Sequence, residues 1–466
     1  MQSRPDALRR SDLILLIAAF ALTALYALSA GGNFSLDDSW IHQTYARNLA
    51  QTGQWAFVPG VPSAASTSPL YTVALAVGYW LNIPFRLWTH GLGALTLAFT
   101  GMIGRRIAVR LAPESRGIGL MTGLTLIGAW HMIWAAASGM ETPIFAMFTL
   151  LLIWLALRQV TANQPSSPVP FSLREKGFRG SGLLSAVSFG AAAALTTLTR
   201  PEGVLLVGMI GVTLLIVRPS AKTLVWGMAA GIAFGIVLAP YLILNYNLTG
   251  GLLPNTAAAK RMYATPLFAQ DLLWRFNVML TPLLAGGQLL LIPGVIAFIV
   301  MLVRRDRAAL IGLLLPAWAF GLILLYAATL PLNFQHGRYV IPALPAWITA
   351  GVIGTAWLLR WSSGALLPRV VSRVLAISAA LLFVWFVFGI GLTAHVLDVT
   401  IIEEEMVTAA HWLAENVPPA DLLAVNDIGA VGYFASRPIL DIAGLVTPEV
   451  IPIKYDNAAL WTFLQE

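Results

Sequence analysis

The chain has 466 residues, 58% hydrophobic and 11% charged, with a formal net charge of +7. Soluble domains carry about a quarter charged residues, so this composition excludes a water-soluble enzyme, and the chain is too apolar to be disordered. With no cysteine, disulfide scaffolds, thiolate metal sites and thiol nucleophiles are excluded as well.

A membrane-spanning helix needs about 20 mostly apolar residues. The first such run is 13–30, which follows Arg4, Arg9 and Arg10. It is longer than the apolar region of a signal peptide and reads as a retained helix. Further runs follow at 90–104, 117–137, 143–157, 182–198, 203–217, 223–244, 282–303, 308–330, 339–359 and 374–392, so that about eleven spans are predicted. The run 69–83 is apolar but short and bounded by prolines, and reads as an interfacial or re-entrant helix. Counting it as a span would move Arg105, Arg106 and Arg110 to the opposite face.

Charge tests this topology. With the N-terminus in the cytoplasm, 19 of the 28 basic residues fall in inner segments, which carry a net +14, and the outer segments carry −7. The inner loops are also the short ones, as the positive-inside bias requires. The +7 is therefore a sidedness signal rather than a nucleic-acid footprint.

The long polar segments then all lie outside: a first external loop at 31–88, a second at 245–281 and a tail at 394–466. The inner segment 161–180, rich in Pro and Ser, reads as a loop. In the tail, 403–416 has helical spacing with Glu403, Glu404 and Glu405 in its first turn, where the helix dipole favours them. Pro418 and Pro419 stop it, and 422–426 and 439–442 read as short strands. The tail thus reads as a small α/β domain after a transmembrane unit spanning 1–393. The last residues fall inside what reads as a further helix, and the expectation is that a further strand is missing or that the chain was trimmed. A transporter would carry ionisable groups near the bilayer midplane, but here they sit at helix ends. Chemistry at the outer surface is favoured.

Asp37 and Asp38 lie just beyond the first helix, in SLDDSWIHQTYARNLAQTG. Adjacent carboxylates repel, so one can have a raised pKa, which suits a general base or a cation ligand. A helix N-cap accounts for one of them equally well. The same string carries His42 and Arg47. Other outer helix ends carry Glu141 after SGM, Arg200 and Glu202 in TRPEG, Lys260 and Arg261 at the end of LLPNTAAAKR, and His336, Arg338 and Tyr339 in QHGRY. Each is individually explained as an interfacial anchor. Their convergence on one face, at headgroup depth, suits a lipid-borne phosphate. The histidines lack metal-ligand spacing, and there is no HExxH, GxSxG or Walker sequence. The tail's NDIGAVG has glycines but lacks a phosphate-binding spacing.

Taken in order, LDDSW, PSAASTSPLYT, SGMET, TRPEG, LLPNTAAAK, HGRYVIPALP and NDIGAVGYFASRPILDIAGL resemble the GT-C superfamily of membrane glycosyltransferases, in particular its arabinofuranosyltransferase-like and protein mannosyltransferase-like members. The resemblance covers almost the whole chain. It implies an α-helical polytopic membrane protein of GT-C type in the bacterial inner membrane. It also implies inverting transfer of a sugar, on the extracytoplasmic face, from a polyprenyl-phosphate donor to a hydroxyl of a glycan, lipid or protein. The acidic pair then falls on Asp37, the base, and Asp38, which would orient the acceptor. Lys260, Arg200, Arg338 and Arg261 become donor-phosphate residues. Glu141, Glu202, His336, Tyr339, His42 and Arg47 become pocket residues. Some relatives use a divalent cation (Mg, Mn or Ca), and here its ligand would be Asp37 or Asp38. Ala258 and Ala259 stand where the family often has an aromatic. Alternative activities are a lipid-linked oligosaccharide polymerase or ligase using a diphosphate donor, and a non-catalytic lipid or sugar transporter.

Overall fold

A computed structural model describes residues 10–161, 171–252 and 254–465. Arg4 and Arg9 lie outside the described residues, as does 162–170 of the expected inner loop. The rest of that loop begins the Phe171–Thr199 helix.

The molecule is a helical bundle. Among the described residues, eight helices are long and apolar enough to cross a membrane: Arg10–Ser29, Phe85–Leu111, Thr142–Val160, Gly182–Thr199, Ala221–Thr249, Arg307–Thr329, Gln335–Gly364 and Leu366–Asn416. The expected span at 117–137 is a pair of helices, Ile118–Ile127 and Trp130–Ala137, bent by 54°. Those expected at 203–217 and 282–303 are the shorter apolar helices Gly203–Val217 and Gly287–Val303. The run at 69–83 forms the 12-residue helix Pro69–Trp80, packed on Asp37–Thr52. The chain is a multi-pass membrane protein.

Close packing depends on small residues. A Cβ on Gly354 would lie 1.7 Å from the carbonyl oxygen of Gly294, so these two helices touch backbone to backbone. At one end of the bundle, buried Arg105 reaches both carboxylate oxygens of buried Asp12, at 2.9 and 3.1 Å, and ties the first helix to Phe85–Leu111. Arg305 and Arg360 meet at Glu114 on the same end. The opposite end carries the acidic pair and the candidate cations.

The last spanning helix does not stop at residue 392. Leu366–Asn416 runs unbroken for 51 residues, about 75 Å at 1.5 Å per residue. Two π-helical turns, Phe386–Gly391 and Ile402–Val407, absorb irregularities along it. The expected boundary at 393/394 falls inside it. Beyond it the tail pairs Leu423–Val425 with Ile439–Asp441 in parallel, with a helical segment at 428–435 between them. A second small pair, Ala56–Val58 with Val61–Pro62, lies in the loop between the first helix and Phe85–Leu111.

The tail is docked on that loop. Trp40, fully buried, packs against Tyr433 and Phe434 with ring centroids 5.0 and 4.7 Å away. Arg47 donates to the Tyr433 carbonyl at 2.8 Å, and the Tyr79 and Tyr433 hydroxyls meet at 3.1 Å.

Candidate active site

The Asp37–Thr52 helix begins directly at the acidic pair, so both carboxylates project from its first turn. Leu36 precedes it as a cap that makes no side-chain hydrogen bond. The two aspartates face different partners.

Asp38 is held by cations. Its Oδ2 accepts from Arg338 Nη2 at 2.6 Å and from Lys260 Nζ at 3.5 Å. Burial alone would push this carboxyl up, but Arg338 and then Lys260 outweigh it and hold it well below the ordinary carboxylate range. Asp38 is an anion at neutral pH. Lys260 reaches it from the helix Asn255–Ala264, which docks on the loop after the first helix through the Asn255 N–H on the Ala64 carbonyl. Ala259 in that helix is fully buried, so the small side chain allows the close seat.

Asp37 is held by backbone. Its Oδ2 accepts the Gly429 N–H at 2.7 Å and its Oδ1 the Ala430 N–H at 2.8 Å. Burial pushes its carboxyl up to about 7, against the pull of those two N–H groups, and Asp38 and Asp427 add to the rise. One aspartate is therefore ionised and the other is poised near neutrality, the separation that splits paired carboxylates into two roles.

A second polar group adjoins the first. Glu141 sits between Arg200 (3.6 Å) and His42 (3.5 Å), and His42 continues to Thr72 at 3.3 Å. Burial would raise Glu141, but His42 and Arg200 hold it below the ordinary range. Arg200 also meets Glu202 at 3.5 Å and donates to the Tyr326 hydroxyl at 2.6 Å, and Tyr326 in turn bonds Glu202. The ring of Tyr339 joins the two groups. Arg338, Arg200 and Lys260 lie 5.1, 5.4 and 5.7 Å from its centroid. Three cations thus surround one aromatic ring. Two donors of Arg338, Nε and Nη1, are buried without a hydrogen-bond partner among the described residues.

Nine of the twelve expected residues therefore gather: Asp37, Asp38, Lys260, Arg200, Arg338, Glu141, Glu202, Tyr339 and His42. Three face elsewhere. Arg261 is exposed, because it follows Lys260 by one position and so lies about 100° around the helix. Arg47 turns to the tail, on the carbonyl and over the ring of Tyr433. His336 points away because Gln335, His336 and Gly337 are all left-handed (φ 49°, 58° and 70°). That turn seats His336 between Trp130 and Trp134 and against Asp398 at 2.8 Å.

Residues not anticipated are Tyr326, Thr72, Gly429 and Ala430. Tyr326 was detectable as the lone tyrosine in the apolar run 308–330. Gly429 and Ala430 act through backbone, and the glycines of NDIGAVG were their trace.

Residues 399–466 match a domain of unknown function, DUF8728. A stretch of 251 residues, 52% of this chain, is 30% identical to a terminal β-(1→2)-arabinofuranosyltransferase of Mycobacterium tuberculosis. The match spans 38% of that relative's length. Among solved structures, the chain is similar to ArnT from Cupriavidus metallidurans bound to undecaprenyl phosphate (TM-score 0.62, 15% identity, 94% of this chain and 88% of that one). It is also similar to the Archaeoglobus fulgidus oligosaccharyltransferase in complex with Zn and sulfate (TM-score 0.61, 9% identity, 92% and 62%). A third is the oligosaccharyltransferase AglB of that organism with an inhibitory peptide and a dolichol-phosphate (TM-score 0.60, 10% identity, 93% and 64%). The chain thus shares the overall fold of these proteins.

Proposed function

We propose that the chain is an inverting glycosyltransferase that moves a sugar from a polyprenyl-phosphate donor to an acceptor hydroxyl. Transfer takes place at the outer face of the plasma membrane, with the N-terminus inside and the 394–466 domain outside. The observation that carries this reading is the junction of Asp37, near neutrality, with Asp38, Lys260 and Arg338 at one helix end. ArnT is known with undecaprenyl phosphate, and the curated relative moves an arabinofuranosyl unit, which supports the donor class.

The chemistry follows from the residues. Asp37 takes the proton of the acceptor hydroxyl as its oxygen attacks the anomeric carbon from the side opposite the phosphate. The bond from that carbon to the phosphate oxygen breaks, and polyprenyl phosphate leaves with the electron pair. Lys260 and the unpartnered Nε and Nη1 of Arg338 stabilise its growing charge. The lipid tail holds the donor at the depth of these helix ends, which removes much of the entropic cost of encounter. Arg200, Glu141 and Tyr339 line the sugar side.

The residues do not fit a resident divalent cation. Oδ2 of Asp38 already faces two cations, which repel a third. Among the described residues, no three histidines or carboxylates converge. No step here is routed through a metal.

The test is transfer by purified protein from a panel of undecaprenyl-phosphate-linked pentoses and hexoses, with Asp37→Asn beside the parent. Transfer by the parent, lost in a correctly inserted Asp37→Asn variant, is the expected result. Full activity in that variant refutes the base assignment.

A further inference from the structure

The unit at 399–466 matches a domain of unknown function. We infer that it is part of the catalytic apparatus: the backbone N–H groups of Gly429 and Ala430 clamp the Asp37 carboxylate in its working orientation, which makes Gly429 a positioning residue. This inference rests on the proposed role of Asp37 as the base.

The geometry is specific. Each carboxylate oxygen receives one N–H, at 2.7 and 2.8 Å, from residues 392 and 393 positions further along the chain. A carboxylate has about four acceptor positions, so two remain for an incoming hydroxyl. The clamp thus fixes the plane of the group without consuming its capacity to take a proton.

Position 429 admits nothing larger than glycine. A Cβ there would lie 2.0 Å from the backbone oxygen of Asp37 and 2.6 Å from Oδ2. Those contacts are closer than any real one, so the tail would have to retreat. Gly429 and Ala430 are buried, and the seat is braced from three sides. Trp40 packs on Tyr433 and Phe434, Arg47 holds the Tyr433 carbonyl, and Lys454 meets Tyr263 of the lysine-bearing helix. The charged groups facing Asp37 are Asp38 on its own helix, itself neutralised by Arg338 and Lys260, and Asp427 of the tail.

Two measurements on the full-length protein in lipid nanodiscs test the clamp. The first is amide hydrogen exchange. In Asp37→Ala, exchange at Gly429 and Ala430 is expected to quicken at least tenfold while the paired strands of the tail keep their protection. Unchanged exchange there overturns the clamp, whatever the activity. The second is kinetics, with whichever donor of the panel the parent uses. Gly429→Ala is expected to lower kcat at least tenfold with the donor KM within about twofold. Adding Asp37→Glu, which lengthens the acid by one methylene, is expected to regain at least threefold over Gly429→Ala alone, although Asp37→Glu by itself costs activity. A merely structural contact does not produce that reversal. Normal kcat in Gly429→Ala, or no recovery in the double variant, overturns the positioning role. If Asp37→Asn transfers sugar normally, the base reading fails instead, and amide exchange still reports on the contact.

Discussion

Arg338 donates to Asp38 at 2.6 Å across 300 residues of sequence, and two further donors of the same guanidinium stay buried and unpartnered among the described residues. In the proposed reaction, a side chain that anchors the acidic helix with one nitrogen and keeps two others for a ligand couples the loop after the first helix to donor binding. Arg338→Ala is expected to lower kcat/KM for the donor at least a hundredfold and to reduce thermal stability, because Asp38 loses its shortest partner. Arg338→Lys is expected to recover little, since an ammonium cannot span both directions of the fork. Kinetics and a thermal unfolding scan of both variants check this.

The pH dependence follows from Asp37. Its carboxyl is pushed up to about 7 by burial, so it is protonated, and unable to accept the hydroxyl proton, below that pH. The ratio kcat/KM is expected to fall tenfold per pH unit below about 6 and to level off above about 8. Asp38 contributes no limb there, because its cationic neighbours keep it ionised throughout. A kcat/KM profile between pH 5 and 9 checks this, and a flat profile across that window contradicts it.

Glu141 neutralises Arg200 inside the protein, with His42 on its other side. Glu141→Gln keeps the shape and removes the charge. Breaking a buried pair costs about 3–5 kcal/mol. Arg200 retains Glu202 and Tyr326, so a loss near about 3 kcal/mol is expected, measured by reversible denaturation.

Tyr326 stands between Arg200 and Glu202 and touches both. Tyr326→Phe leaves the ring beside Tyr339 and deletes only the hydroxyl. A loss of about 1–2 kcal/mol in stability is expected, together with a several-fold weaker KM for the donor as Arg200 gains freedom. The same denaturation assay and a donor titration check it.

Much of this architecture was legible in the sequence because its cause is local. Apolar windows are a property of neighbouring residues, and each expected run coincides with a helix, although 117–137 bends and 203–217 and 282–303 fall short of full spans. Lys260, Arg338 and Arg200 could be read as outer helix-end charges, and the sidedness bias put them together. The rest depended on non-local geometry. The rotation of His336 away from the site follows from three consecutive left-handed residues that the string QHGRY does not announce. Arg47 lies on the same helix as Asp38, but its partner is a carbonyl 386 residues away. The clamp on Asp37 uses only backbone atoms, and side-chain chemistry leaves no mark of it beyond a glycine. The continuity of the last helix was hidden because its second half is acidic and polar, which reads as a separate module.

That continuity sets a phase as well as a length. Each residue of an α-helix advances the chain about 1.5 Å and turns it about 100°. One residue inserted in the second half of Leu366–Asn416 would swing everything beyond it by more than a quarter turn, and Gly429 would no longer face Asp37. Seven inserted residues, about two full turns, would nearly restore the heading but lift the tail by about 10 Å. The helix works as an indexed shaft: its residue count, rather than its surface, is held by the alignment of a backbone amide with one carboxylate.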